Sequence, residues 1–436
     1  MGLFVFFKLF CYNVRKTAPL KPNIESPIRR FCFEIMLKRS DHESRNMNQG
    51  NMETYLDNAA TTRPLDEVCD AVAFTMKNNY GNPSSMHTKG IEAERILSSA
   101  RVKIAEILDA DDKDLLFMSS GSEANNFAIF NACRRHAASD RATHIIVTAT
   151  EHASVLKPIS ELKDRGCRVD LISVGRDGLM DLDEMKSRIS DKTALIAVSH
   201  VNNETGTIQD VREISGIRDR TCPEALLFVD CVQSFCKLDV SIRNWPGVDF
   251  ISVSSHKIHG PRGAAALFMS KRVKAEPRVF GGGQERGFRS GTENVPAIAG
   301  FGIAAQRMWK DRIENHSKMA SLKERFLQRL SMAGLKYLVI SNNVNSSPYI
   351  TNIGFEGVQA EVLLRFLAQR GVYVSSGSAC SSYKTKKSET LTAMKVADKY
   401  ARGSIRFSFS IFNTESDIEE AVAALKEIVP GLTKRR

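Results

Sequence analysis

The sequence predicts an α/β protein, with a large domain on a mainly parallel sheet followed by a smaller α+β domain. Three observations carry that prediction. Short runs such as Leu115–Met118, Ala194–Ser199 and Phe250–Val253 are almost wholly apolar, too hydrophobic for strands with one wet face. Helix-length segments separate them. Polar side chains recur where the runs end, as at Glu151-His152, Asn202-Asn203 and Asp230, and an open α/β sheet gathers its ligands there.

The elements follow in order. Leu115–Met118 reads as a strand and Ser122–His136 as a helix. Next come strand His144–Ala149, helix Ala153–Arg165 and strand Arg168–Val174, then a turn at Gly175–Gly178. Strand Ala194–Ser199, helix Val211–Asp219 and strands Leu226–Val229, Phe250–Val253 and Ala264–Met269 complete the large domain. Beyond Gly281-Gly282-Gly283, the amphipathic stretch Val295–Leu330 reads as helical, and the remainder mixes helices with strands. The division expected is a leader or extension at 1–53, a large domain over 66–311, and a small domain formed by 54–65 with 312–436.

Composition narrows the function. At 436 residues the chain has material for two domains, and 42% hydrophobic with 25% charged residues is ordinary for a soluble globular protein. The net charge of +11 is partly local, because residues 1–51 carry nine Lys/Arg against four acids. The body shows no basic stripe with interleaved aromatics, which argues against nucleic acid as a partner. The nine cysteines form no CxxC pair and no zinc spacing, so a reducing compartment and no metal are expected. The apolar run Gly2–Val14 is too short to span a bilayer. The acids Glu25, Glu34, Asp41 and Glu43 argue against a mitochondrial presequence. A disordered leader, or an extension upstream of a start at Met47 or Met52, fits better. A cytoplasmic location is expected, and a mitochondrial one only if residues 1–53 act as a presequence.

Four constellations carry chemistry. Phe117–Asn126 runs from strand to helix through Ser119-Ser120-Gly121-Ser122, where free N–H groups and the Ser122 hydroxyl favour a phosphate; taken alone, Ser122 reads first as an ordinary N-cap. His152 follows a strand end, where it could lie on an aromatic cofactor or be a hydrogen-bonded loop residue. Asp230 ends an apolar strand and needs a cationic partner, either a protonated ring nitrogen or a structural arginine, and Gln233 follows within reach of a ring oxygen. Lys257 ends another strand in Ser254-Ser255-His256-Lys257, and a lysine there is either an amine that bonds a carbonyl or an ordinary surface lysine on a loop. Together these are the parts that pyridoxal 5′-phosphate (PLP) requires.

The ordered motifs Tyr55-Leu56-Asp57-Asn58-Ala59-Ala60-Thr61-Thr62, Gly81-Asn82-Pro83, Thr150-Glu151-His152, His200-Val201-Asn202-Asn203-Glu204, Val229–Ser234, Ser255-His256-Lys257, Arg289-Ser290-Gly291-Thr292 and Ser375–Cys380 resemble the NifS/IscS-type cysteine desulfurases. These are class V aminotransferase-like enzymes of PLP fold type I, with a seven-stranded, mainly parallel sheet. The resemblance runs from about residue 54 to the C-terminus.

It implies that Lys257 bonds PLP and moves the substrate Cα proton, and that His152 is catalytic as well, stacking on the ring and helping in proton transfer. It implies Asp230 at the ring nitrogen, Gln233 at the ring hydroxyl, and Gly121, Ser122, Ser254 and His256 at the phosphate. Thr292 would reach the phosphate across a homodimer interface. Asn82 and Asn203 would line the substrate site, and Arg406 would grip the carboxylate of L-cysteine. Cys380, in a small, polar and basic flank, would attack the substrate sulfur and keep it as a persulfide. A long exposed loop would pass that sulfur to an acceptor, such as an iron–sulfur scaffold or a tRNA-thiolation protein. The chain departs from the family pattern at Lys387, where many relatives have proline, and in Thr390–Lys395, which lacks the usual glycine. Two alternatives stand beside this reading: a selenocysteine lyase or related PLP lyase, and a catalytically idle PLP-fold binding platform.

Overall fold

The computed structural model describes residues 53–137, 143–341, 344–376 and 388–433. Thr54–Tyr55 forms β1. Helices α1 (Asp66–Asn78) and α2 (Thr88–Ile107) lead to β2 (Leu115–Met118) and α3 (Gly121–Ala137). Then come β3 (His144–Thr148), α4 (Ala153–Asp164), β4 (Arg168–Ile172), α5 (Leu182–Arg188), β5 (Thr193–Ser199), α6 (Val211–Thr221), β6 (Leu226–Asp230), β7 (Phe250–Ser254) and β8 (Ala265–Met269).

These strands make one seven-stranded sheet in the order β2-β8-β7-β6-β5-β3-β4. β4, β3, β5, β6 and β7 run parallel, and β8 is antiparallel to both of its neighbours. The apolar runs are so continuous because both faces are covered. Along β3, Ile145 and Val147 pack in one cluster with Phe127, Val155 and Ile159 of α3 and α4. The alternate residue Ile146 packs in another cluster with Leu97 and Ile104 of α2. The two-residue period of a strand sends successive side chains to opposite faces.

The predicted helical stretch Val295–Leu330 is two helices, α7 (Val295–Lys310) and α8 (Arg312–Ser331), broken at Asp311. Asp311 leaves helical geometry (φ −97°, ψ 11°), and its carboxylate pairs with Arg307 at 3.1 Å. There follow β9 (Tyr337–Val339), β10 (Ile350–Phe355), α9 (Ala360–Gln369), β11 (Val372–Tyr373), α10 (Glu389–Ala393), β12 (Ser404–Ser408) and α11 (Glu415–Thr433). β12, β10 and β9 form an antiparallel sheet, and β1 pairs with β11. A third cluster, including Phe326, Leu363, Phe407 and Leu425, packs α8, α9 and α11 against that sheet.

The parallel strands fix where a ligand site can form. β4 and β5 lie on opposite sides of β3, so the chain changes winding direction between β3 and β5. A crevice opens at the carboxyl ends of the strands at such a switch point.

Candidate active site

A cavity of about 1270 Å³ occupies this crevice. It gathers Gly121, Ser122, His152, Asn203, Asp230, Gln233, Ser254, His256, Lys257 and Arg406 from six different stretches of chain. Asn82 and Thr292 stay exposed outside it. Asn82 Oδ1 accepts from Ser84 N at 2.9 Å, closing a turn before α2. Cys380 and Lys387 lie outside the described residues.

Lys257 closes a single 3-10 turn that follows β7 directly, so the buried strand carries it to the cavity. Its Nζ donates to Ala59 O at 2.6 Å and Ala60 O at 2.7 Å. Asp230 is the last residue of β6; its Oδ1 accepts from Val232 N at 2.9 Å and its Oδ2 from Asn125 Nδ2 at 2.7 Å. It is buried, and neither bond comes from a structural arginine.

His152 caps α4, with Nδ1 accepting from Ser154 N at 3.1 Å. Burial is the largest influence on the ring and lowers its pKa. Lys257 and Arg406 act in the same direction, and Asp230 opposes them. Burial and neighbouring Lys257 also push His256 down to about 4, so both rings are neutral near pH 7.

The phosphate end departs in one detail from the sequence reading. Ser120, not Ser122, caps α3: its Oγ accepts from Glu123 N at 3.1 Å, and Ser122 lies inside the first turn. Gly121 is required there, since a Cβ would lie 2.8 Å from Val232 Cγ2. The first turn of a helix offers backbone N–H groups with no intrahelical partner.

Two buried polar atoms lining the cavity, Ser254 Oγ and Gln233 Oε1, have no hydrogen-bond partner. Gln233 Nε2 is held by Ala59 O at 2.8 Å, so the amide presents its acceptor. Orphaned buried polar groups are costly and mark places where a ligand completes the bonding. A phosphate acceptor for the Ser254 hydroxyl and a ring hydroxyl for Gln233 meet those needs. With the lysine amine and the Asp230 carboxylate alongside, the donor set fits PLP.

Arg406, on β12, is 2% exposed. Nη1 donates to Asn203 O at 2.9 Å and Nη2 to Asp57 Oδ1 at 2.8 Å, while Nε has no partner. The guanidinium is therefore braced from two sides with donors still unspent.

Sequence reasoning assigned no role to Glu151, Asp57 or Asn125. Glu151 is buried at the switch point itself. Its Oε1 accepts from Thr148 Oγ1 at the end of β3 (2.5 Å) and from Ser199 N at the end of β5 (2.8 Å); Oε2 accepts from Ser199 Oγ. Burial pushes its carboxyl up to about 7 against these hydrogen bonds. The polar residue after a strand was a signal for it, but its clamp across two strands exists only in the fold.

The chain is similar to known proteins over most of its length. Residues 54–421 match the family model for aminotransferase class-V. The chain is 35% identical over 377 residues to "Cysteine desulfurase IscS 1" of Archaeoglobus fulgidus, covering 86% of this chain and 96% of that one. A solved NifS-like protein superposes with a TM-score of 0.82 at 32% identity, covering 87% of this chain and all of the other. A solved structure of SspA in complex with cysteine superposes with a TM-score of 0.73 at 29% identity, over 83% of this chain and all of that one.

Proposed function

The chain belongs to the aminotransferase class-V family, among its cysteine desulfurases, and from that premise we propose that Lys257, Asp230, His152 and Arg406 hold PLP and L-cysteine while Cys380 takes the sulfur. The observation that carries the assignment is the lysine amine, the buried Asp230 and the orphaned Ser254 and Gln233 atoms around one cavity.

PLP supplies an aldehyde that condenses with amines and a ring that accepts the electrons of a cleaved Cα–H bond. The residues around it divide the remaining work. Lys257 Nζ binds the cofactor, then removes and returns the proton at the substrate Cα. Asp230 sets a fixed negative charge against the ring nitrogen and favours its protonated form. His152 offers a flat neutral ring for stacking. Arg406 binds the substrate carboxylate with a rigid fork, and Asn203 and Asp57 hold that fork in place. Ser254, Ser122, Gly121 and His256 take the phosphate, with Thr292 of a second copy completing the cup in a homodimer.

The Cys380 thiolate attacks the sulfur of L-cysteine. The C–S bond breaks and an S–S bond forms; the electron pair stays on carbon, which is protonated as L-alanine is released. Cys380 retains a persulfide for a sulfur-acceptor protein. Among the described residues no cysteine lines the cavity, and burial holds the thiols of Cys133, Cys231 and Cys236 well above the ordinary range, which leaves them poor nucleophiles.

The test is release of alanine and sulfide from L-cysteine with a reductant present. Wild type yields both in equal amounts, and Lys257→Ala yields neither. Full sulfide output from Cys380→Ala refutes the nucleophile assignment.

A further inference from the structure

Asn125 lies on α3 and is 1% exposed. Its Nδ2 is 2.7 Å from Asp230 Oδ2 and 2.8 Å from Ser154 Oγ. Ser154 Oγ in turn is 2.7 Å from His152 Nδ1, and Ser154 N donates to the same Nδ1 at 3.1 Å. Asn125 Oδ1 is buried without a partner. A leucine of similar size would avoid that orphan, so the amide is explained by its two donors and not by packing.

Counting hydrogens gives the chain a direction. A carboxylate only accepts, so one Nδ2 hydrogen goes to Asp230 and the other to Ser154 Oγ. His152 Nδ1 already accepts a backbone N–H and carries no proton, so the single Ser154 hydroxyl hydrogen has its acceptor there. A neutral imidazole has one N–H, which then sits on Nε2. The charged groups bearing on this ring are Asp230, Lys257 and Arg406; burial, the largest influence, together with the two cations lowers its pKa against the pull of Asp230.

We propose that Asn125, acting through Ser154, is a positioning residue that holds His152 as the neutral Nε2–H tautomer while pinning the Asp230 carboxylate. The inference rests on the reading of His152 and Asp230 as cofactor-site residues. Its logic is that one amide couples the group facing the ring nitrogen to the group stacked on the ring. The hydroxyl of Ser154 donates to Nδ1 only in the neutral form of His152, so this donor suppresses protonation.

The test is a pH titration of the His152 ring nitrogens by NMR in full-length, 15N-histidine-labelled protein, with and without PLP. Wild type, Ser154→Ala, Asn125→Leu and the double variant are compared, with His152→Gln to assign the signal. Ser154→Ala raises the His152 proton affinity about fivefold, the size expected for one net hydrogen bond. Asn125→Leu moves it in the same direction, and the double variant goes no further than Ser154→Ala. An unchanged titration in Ser154→Ala overturns the proposal, as does full additivity in the double variant. Ser154 is half-buried, so its variant carries the test even if Asn125→Leu does not fold. If PLP leaves the His152 signals of wild type unmoved, the cofactor-site reading falls, whereas the relay is judged on the titration alone.

Discussion

Replacing Glu151 by glutamine turns a pH-dependent clamp between β3 and β5 into a pH-independent one. In the wild type, burial moves the carboxyl from its ordinary 4.5 to about 7. The folded state therefore binds this proton more tightly than the unfolded state does. The stabilisation from the bound proton is complete below 4.5 and is lost as pH rises through about 7. At about 1.4 kcal/mol for each tenfold change in proton affinity, wild type loses about 2.5 kcal/mol between pH 5 and pH 8 that Glu151→Gln does not lose. Glutamine preserves an oxygen for Thr148 Oγ1 and Ser199 N, so the geometry survives. The assay is equilibrium urea unfolding of both proteins across that range, taking the difference at each pH. A difference that stays flat shows that Glu151 does not titrate with folding and refutes the argument. As a control, Glu151→Ala leaves the buried Ser199 N–H and Thr148 hydroxyl unpaired and lowers stability at every pH by about 2–6 kcal/mol.

Three further outcomes follow from the same geometry. Borohydride reduction of the PLP-loaded protein labels Lys257 irreversibly in wild type and labels nothing in Lys257→Ala, as seen by peptide mapping. Arg406→Lys loses the bidentate fork and the brace to Asn203 O and Asp57, so KM for L-cysteine rises about tenfold to a hundredfold, the loss expected for charge-assisted hydrogen bonds. Glu285 accepts from both terminal nitrogens of Arg101 and from Phe117 N, each at 2.8 Å, and both side chains are buried. Glu285→Ala therefore lowers stability by about 3–5 kcal/mol in thermal or urea unfolding, because it strands a buried guanidinium.

How much could be read from the sequence depended on whether a residue's partner lay nearby in the chain. Asp230 and Lys257 were legible because each ends an apolar run, and a polar group is conspicuous there. The sheet was legible because its inner strands, such as β5, β6 and β7, are buried along their whole length, whereas the edge strand β4 is partly exposed. Arg406 sits between Ile405 and Phe407 inside a buried strand, and only family resemblance singled it out; its bracing residue Asp57 is 349 positions away. Asn125, Ser154 and Glu151 form bonds between elements, which no local pattern encodes. The helix break at Asp311 was hidden because no glycine or proline marks it between Gly302 and Gly334. Asn82 and Thr292 lie outside the cavity of a single chain, and the role proposed for Thr292 depends on a second copy.

The central claim is that Lys257 and Cys380 divide the reaction between carbon and sulfur. It is tested most directly by mass spectrometry of the intact Cys380 peptide after one turnover with L-cysteine and without reductant. The account predicts one added sulfur atom on Cys380 and one alanine released per site, with neither in Lys257→Ala. Alanine formed at the full rate with the added sulfur absent from Cys380, or carried by another cysteine, would contradict it.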